Sequence, residues 1–228
     1  MRCTLWSGQV GCFLLLFAAG QGNAQQAPLA VGRISYGDTL VPGAAICTGA
    51  LVAPDLVLTA RHCVEPALTT PATIRFAANF SEGHSLAERR GAEMILPQAG
   101  VTENRANDVA LLRLEAPIAV DVVATLPIAD PALAQWLDGL SLIAYRRDAP
   151  DQPQRGDDCE LLTTLPGILA LSCPVVSGNS GAPILAWDGT EWQIVAVMVA
   201  ASSGRPVRSL AATIPADLLA WITSAVQP

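Results

Sequence analysis

Short apolar or alternating runs recur along the chain, broken at close intervals by Gly, Pro, Asn and Asp: "AICTGALVA", "LVLTA", "TIRFAANF", "VALLRL", "LSLIAYRR", "CELLTT", "ILALSC", "APILAW", "WQIVAVMVA" and "VRSLAATI". Runs of this length and period predict β-strands, and many short strands with frequent turn signals predict a sandwich or barrel. One segment has helical spacing instead. In "PADLLAWITSAV", Leu218, Leu219, Ile222 and Val226 share one face, and Pro215 suits the first helical position. This helix is expected to pack as a lid, without chemistry. The stretch "ADPALAQWLDGL", 129 to 140, separates two groups of strands and reads as a bridge between two halves. No internal repeat is visible.

The first residues carry a different pattern. One positive charge at Arg2 is followed by an apolar run from Gly11 to Gly20 and by the small residues "GNA" at 22 to 24. This predicts a secretory signal peptide over 1–24, removed after Ala24. The apolar run is short of the roughly 20 residues that span a bilayer, so the mature protein is expected to have no membrane span.

In the 228-residue chain, hydrophobic residues are 51% and charged residues 14%, which suits a packed core. A net charge of −7 without a basic run argues against a nucleic-acid partner. Of the six cysteines, Cys3 and Cys12 fall in the leader. Cys47, Cys63, Cys159 and Cys173 remain, and in an exported chain they predict disulfides. Four cysteines allow three pairings. Cys47–Cys63 with Cys159–Cys173 is preferred, because each pair is close in sequence and lies in its own half. A zinc site is disfavoured: the spacings are wide, no CxxC occurs, and the chain has only two histidines. No metal and no cofactor are expected.

Three islands carry the candidate chemistry: "CTGALVAPDLVLTARHCV" with His62, "NDVALLRL" with Asp108, and "SGNSGAPIL" with Ser180. Read singly, each is ordinary. Ser180 could lie in a polar turn, Asp108 could cap a strand, and His62 could be any core or surface histidine. Together they match one task. A serine hydroxyl needs a base to take its proton as it attacks. Histidine titrates near neutrality and can accept that proton and later return it. A buried carboxylate fixes the imidazole tautomer and stabilises the imidazolium. The backbone N–H groups of Gly178 and Ser180 could hold the oxyanion, with a glycine at 178 leaving the turn unobstructed. His84, in the polar "SEGHSL", is assigned no role. The serine comes last, and Ala182 stands where an α/β-hydrolase would place its second glycine. The order His, Asp, Ser is that of the chymotrypsin-type arrangement.

On these residues the chain resembles a trypsin/chymotrypsin-like serine peptidase. "LTARHC", "NDVALLRL" and "GNSGAP" resemble the family's histidine, aspartate and serine motifs, and the likeness runs from about Ala44 to the terminal helix at Trp221. It implies an all-β fold of two antiparallel six-stranded barrels with a C-terminal helix. The catalytic residues His62, Asp108 and Ser180 would lie in the cleft. The halves would be 25–128, carrying His62 and Asp108, and 129–228, carrying Ser180. Cys47–Cys63 matches the family's bridge beside the histidine. The implied function is an exported, secreted or periplasmic, serine endopeptidase, acting as a monomer on peptide or protein substrates through an acyl-enzyme. Alternatives are a non-catalytic binding module on the same fold and an esterase using the same triad.

Departures from the pattern narrow the reading. Asn179 replaces the Asp that trypsin itself uses to bind a new N-terminal amine, so activation by a cut at "GRISYG", after Arg33, is not expected. The GNSG form is similar to the bacterial glutamyl-endopeptidase branch. Arg61 replaces a small residue before His62, and nothing in the sequence explains it. In the resembling family the residue six before the serine, here Pro174, sits at the base of the specificity pocket. The strand "VAVMVAAS" would wall that pocket with Val199, Ala200 and Ala201. Such a lining cannot offset the desolvation of a substrate charge. An uncharged, small or aliphatic residue before the cut is therefore expected.

Overall fold

The computed structural model describes residues 28–37, 47–100, 105–130, 132, 139–202 and 208–226. The expected leader, 1–24, and most of the bridge at 129–140 lie outside the described residues.

Strands β1 (Val31–Tyr36), β2 (Cys47–Ala53), β3 (Leu56–Ala60), β4 (Ile74–Ala78), β5 (Ala87–Ile95) and β6 (Val109–Leu114) form a closed barrel in the order β1-β2-β3-β6-β5-β4. Strands β2 and β3 are buried at every position. Their continuous apolar character follows from being covered on both faces. Strand β5, "AERRGAEMI", is charge-rich and half-buried, and its charges are compensated from neighbouring elements. Arg75 on β4 pairs with Glu88, while Arg113 on β6 bonds Glu93 at 3.1 Å and Asp55 at 2.8 Å.

The second half holds β7 (Leu140–Arg146), β8 (Ala149–Cys159), β9 (Leu161–Leu165), β10 (Ile168–Leu171), β11 (Pro183–Trp187), β12 (Trp192–Ala201) and β13 (Ser209–Ala212). They make a seven-stranded sheet in the order β8-β7-β11-β12-β13-β10-β9. The all-β fold implied by the family resemblance, with a closed six-stranded first barrel, a second antiparallel sheet and a C-terminal helix, is present. The second half differs from a six-stranded closed barrel in having seven strands and, among the described residues, edges at β8 and β9. Cys159 is bonded to Cys173 and Cys47 to Cys63. The latter closes a loop between residues 16 apart, worth roughly 3 kcal/mol in the chain-entropy account.

Helix α1 (Ala216–Val226) docks through Leu218 and Ile222. Pro215 stands just before it, and its carbonyl accepts the Leu219 N–H at 3.0 Å as the first i→i−4 bond of the helix. Val226 is 57% exposed and does not share the buried face. Among the described residues no helix is long and apolar enough to cross a membrane.

A buried arginine joins the halves. Arg33, in the middle of β1, is fully buried, stacks 3.5 Å over the Phe80 ring and donates to the Pro150 carbonyl on β8 at 3.3 Å. Burial pulls its pKa down, and its Nε and Nη2 atoms have no partner among the described residues. Tyr145 on β7 donates to the Phe80 carbonyl at 2.9 Å, and burial pushes its hydroxyl pKa up.

Candidate active site

The register of the barrel places the histidine beside the aspartate. Strand β3 pairs with β6 so that Ala60 lies opposite Val109. The residues just beyond, Arg61 and His62 on one strand and Asp108 on the other, therefore meet at the barrel rim. His62 lies in a short 3-10 turn, Arg61–Cys63, and Asp108 immediately precedes β6. The Asp108 carboxylate is 1% exposed. Its Oδ1 accepts the His62 backbone N–H at 3.0 Å, and its Oδ2 lies 2.9 Å from His62 Nδ1. The Asp108 carbonyl accepts the Arg61 N–H at 3.1 Å. Both oxygens and the backbone thus hold one turn, which leaves the other ring nitrogen, Nε2, for chemistry. Arg105 adds a cation 3.6 Å from Asp108 Oδ2.

Arg61 turns its side chain away from this contact. Its guanidinium bonds Glu65 at 2.7 and 3.1 Å, one helical turn on. An exposed pair of this kind is worth about 0.2–1 kcal/mol, so the side chain holds the turn's surface while its N–H serves Asp108.

Ser180 sits in the turn before β11, and two glycines make that turn possible. Gly178 has φ +102, and a Cβ there would lie 2.7 Å from the Tyr145 carbonyl oxygen and 2.8 Å from the Arg147 nitrogen. Gly181 has φ +81, and a Cβ would lie 2.1 Å from the Thr48 carbonyl oxygen. Both conditions, a left-handed backbone and close approach of another chain, admit only glycine without strain. The N–H groups of Asn179, Gly181 and Ala182 bond to Val176, Met198 and Asn179 carbonyls. Among the described residues, those of Gly178 and Ser180 donate to no protein group. Two free donors, on either side of Asn179, can bind an oxyanion beside the Ser180 hydroxyl.

His62, Ser180 and Gly178 wall one cavity of about 310 Å³, together with Tyr36, Cys47, Cys63, Pro66, Arg147 and Ser177. The Ser180 hydroxyl makes no hydrogen bond to His62 in this state; such contacts commonly tighten only with substrate present. Cys47, His62 and Cys63 offer ligand atoms within 4.8 Å of one another, but both sulfurs are tied in a disulfide, which removes the thiolates a metal would need.

Asn179 is 4% exposed. Its Oδ1 accepts the Val176 N–H at 2.8 Å and its Nδ2 donates to the Tyr145 carbonyl at 3.4 Å. A carboxamide meets both demands. A carboxylate would face the Tyr145 carbonyl with a second acceptor.

The specificity candidates are only loosely gathered. Val199 is buried at 4%, Ala200 is half-buried, and Pro174 and Ala201 are exposed. Ala200 and Ala201 pair with Leu210 and Ser209 on β13, and Ser209 Oγ bonds the carbonyls of Leu171 and Cys173, next to Pro174. His84 is exposed in a small turn closed by Ser81, away from the cavity.

Thr48 was not singled out by its motif, yet it links the halves at the site. Its N–H donates to the Ser180 carbonyl at 2.8 Å and its hydroxyl to the Gly178 carbonyl at 2.9 Å, while its Oγ1 accepts the Tyr145 N–H at 2.9 Å. Thr59 Oγ1 donates to the Thr48 carbonyl at 2.7 Å. Its position directly after Cys47 was the one signal available; its partners come from the other half of the chain.

A family model, the trypsin-like peptidase domain, matches residues 47–197. Among solved structures, the VesB protease of Vibrio cholerae aligns with a TM-score of 0.70 at 15% identity, covering 86% of this chain and 63% of that one. The secreted serine protease VesC from Vibrio cholerae aligns with a TM-score of 0.68 at 14% identity, covering 83% and 45%. This chain therefore spans less than two thirds of either. At these identities the likeness is one of fold, and the matches point to no branch within the family.

Proposed function

Because the chain belongs to the trypsin-like peptidase family of serine-type peptidases, we propose that it is an exported endopeptidase whose nucleophile is Ser180, built from halves 25–128 and 129–228. His62 accepts the Ser180 proton as the hydroxyl attacks the scissile carbonyl. Asp108 holds the imidazole with Nδ1–H toward its own carboxylate and stabilises the imidazolium. The N–H groups of Gly178 and Ser180 receive the oxyanion. His62 then protonates the leaving amine, and water hydrolyses the acyl-enzyme by the same route. Around the residue before the cut, Pro174, Val199, Ala200 and Ala201 bring no charge, which favours an uncharged side chain. Export agrees with two disulfides.

One observation carries this reading: the carboxylate that orients His62 is buried and doubly engaged, and His62 shares its cavity with Ser180 and the free N–H of Gly178. The test is covalent. The Ser180 oxygen should attack the phosphorus of a fluorophosphonate and displace fluoride, its proton passing to His62, so that one adduct forms, on the peptide that contains Ser180. No adduct, or an adduct on another serine, would refute the assignment.

The active protein is expected to keep its Arg33–Ile34 bond. Both residues are fully buried within β1, where Arg33 pairs with Thr48 on one side and Ala77 on the other. Asn179 also offers no carboxylate to pair with a new amine, and its Oδ1 already accepts the Val176 N–H. Mass analysis of active protein should therefore find the segment across Arg33 intact. Activity that arises only in chains beginning at Ile34 would overturn this.

A further inference from the structure

We propose that Arg147 reads a carboxylate on the departing half of the substrate, within one or two residues after the scissile bond. This rests on the peptidase reading above and extends it to substrate choice.

The cavity beside Ser180 has two kinds of wall. One comes from the barrel: Tyr36, the Cys47–Cys63 bridge and Pro66. The other is Arg147, Ser177 and Gly178. The residues assigned to the specificity pocket, Pro174 and Val199 to Ala201, are not part of it. The chemistry tells which half of a substrate lies here. The acyl half remains on Ser180, and the amine half receives its proton from His62 before it leaves. His62 belongs to this cavity, so the departing half passes through it.

Arg147 is the uncompensated cation at that wall. It occupies the turn between β7 and β8, is exposed, and has no side-chain hydrogen bond or ion pair among the described residues. Its neighbours differ. Arg146 is held by Asp148 at 2.9 and 2.7 Å, Arg61 by Glu65, and Arg105 lies against Asp108. No wall residue of the cavity is acidic. The turn is also fixed in place: the Arg147 N–H donates to the Ser177 carbonyl at 2.8 Å, one residue before Gly178. A guanidinium anchored there presents a planar, permanently charged fork to a carboxylate. The carboxylate can belong to an Asp or Glu side chain or to the free C-terminus of a short departing fragment.

The experiment uses quenched-fluorescence peptides that differ only after the cut, bearing Glu, Gln or Lys there, each with a free or an amidated C-terminus. An ester with a small uncharged leaving alcohol is run beside them. The kcat/KM for Glu over Gln should be about five-fold, near the upper end for an exposed arginine–carboxylate pair, and should shrink with added salt. Arg147→Gln should bring the ratio to one, and Arg147→Glu should turn the preference to Lys. A preference that follows the side chain identifies Asp or Glu as the ligand; one that vanishes on amidation identifies the terminal carboxylate. A wild type indifferent both to Glu over Gln and to amidation, or a carboxylate preference that survives Arg147→Gln, overturns the Arg147 assignment alone if the ester is hydrolysed. A protein that cleaves neither ester nor peptide overturns the peptidase reading and this inference with it.

Discussion

Ser180→Ala is expected to lower kcat by about 10⁶-fold, the scale on which a serine peptidase falls when its nucleophile or base is removed. The residual rate is that of the oxyanion donors and substrate binding acting on water. The substitution is clean for structural reasons. The Ser180 hydroxyl makes no hydrogen bond among the described residues, so its loss orphans no buried partner. The backbone of residue 180 keeps its role, since the Thr48 N–H donates to the carbonyl of that residue. The melting temperature should therefore stay near that of the parent while activity and fluorophosphonate labelling vanish together. His84→Ala supplies the matched control. That imidazole is exposed, and the turn around it is closed by backbone bonds with Ser81. Its removal should change kcat/KM less than twofold, as expected of a surface substitution away from the site. A Ser180→Ala protein with more than a hundredth of parental activity, in material free of contaminating peptidase, would rule out Ser180 as nucleophile.

The strands most legible in the sequence are those covered on both faces. Strands β2, β3 and β6 stand out as apolar runs because the barrel interior lies on one side and other packed elements on the other. Three strands were less legible, each for a definite reason. Strand β1 hides behind Arg33, a charge that a strand reading would place in solvent and that instead stacks on Phe80 between the halves. Strand β5 shows its charges because its partners are the salt-bridged side chains of β4 and β6. Strand β8 contains Pro150 and Pro153, which a central strand would exclude; it lies at the sheet's edge, where a missing N–H is tolerated. The site divides in the same way. His62, Asp108 and Ser180 sit in short motifs with local backbone demands, above all the glycines beside the serine. Thr48 bonds groups distant in sequence, and Arg147 stands out only by having no side-chain partner among the described residues, neither of which a local pattern encodes.

Asp108→Asn should lower kcat at neutral pH by about 10⁴-fold, the effect of losing the correct histidine tautomer while keeping the shape of the side chain. The geometry makes the loss unavoidable. Two donors converge on Asp108: the His62 N–H on Oδ1 and His62 Nδ1 on Oδ2. A carboxamide has one acceptor and one donor end. If its oxygen faces Nδ1, its NH₂ meets the His62 N–H, donor against donor, at a side chain that is only 1% exposed. If it turns around, its NH₂ faces Nδ1 and drives the ring proton to Nε2, where it blocks acceptance of the Ser180 proton. Arg105 gains nothing in either case, since its partner charge is gone. The variant should fold, label with fluorophosphonate at a rate reduced in step with kcat, and retain its affinity for a reversible peptide inhibitor. Combining it with Ser180→Ala separates catalysis from support of the fold. If Asp108 acts only through His62 on Ser180, the double variant should be no slower than Ser180→Ala alone, because residues that work as a unit lose their function once. Asp108→Asn activity within tenfold of the parent, or a further drop in the double variant, would show that the carboxylate does not orient the base.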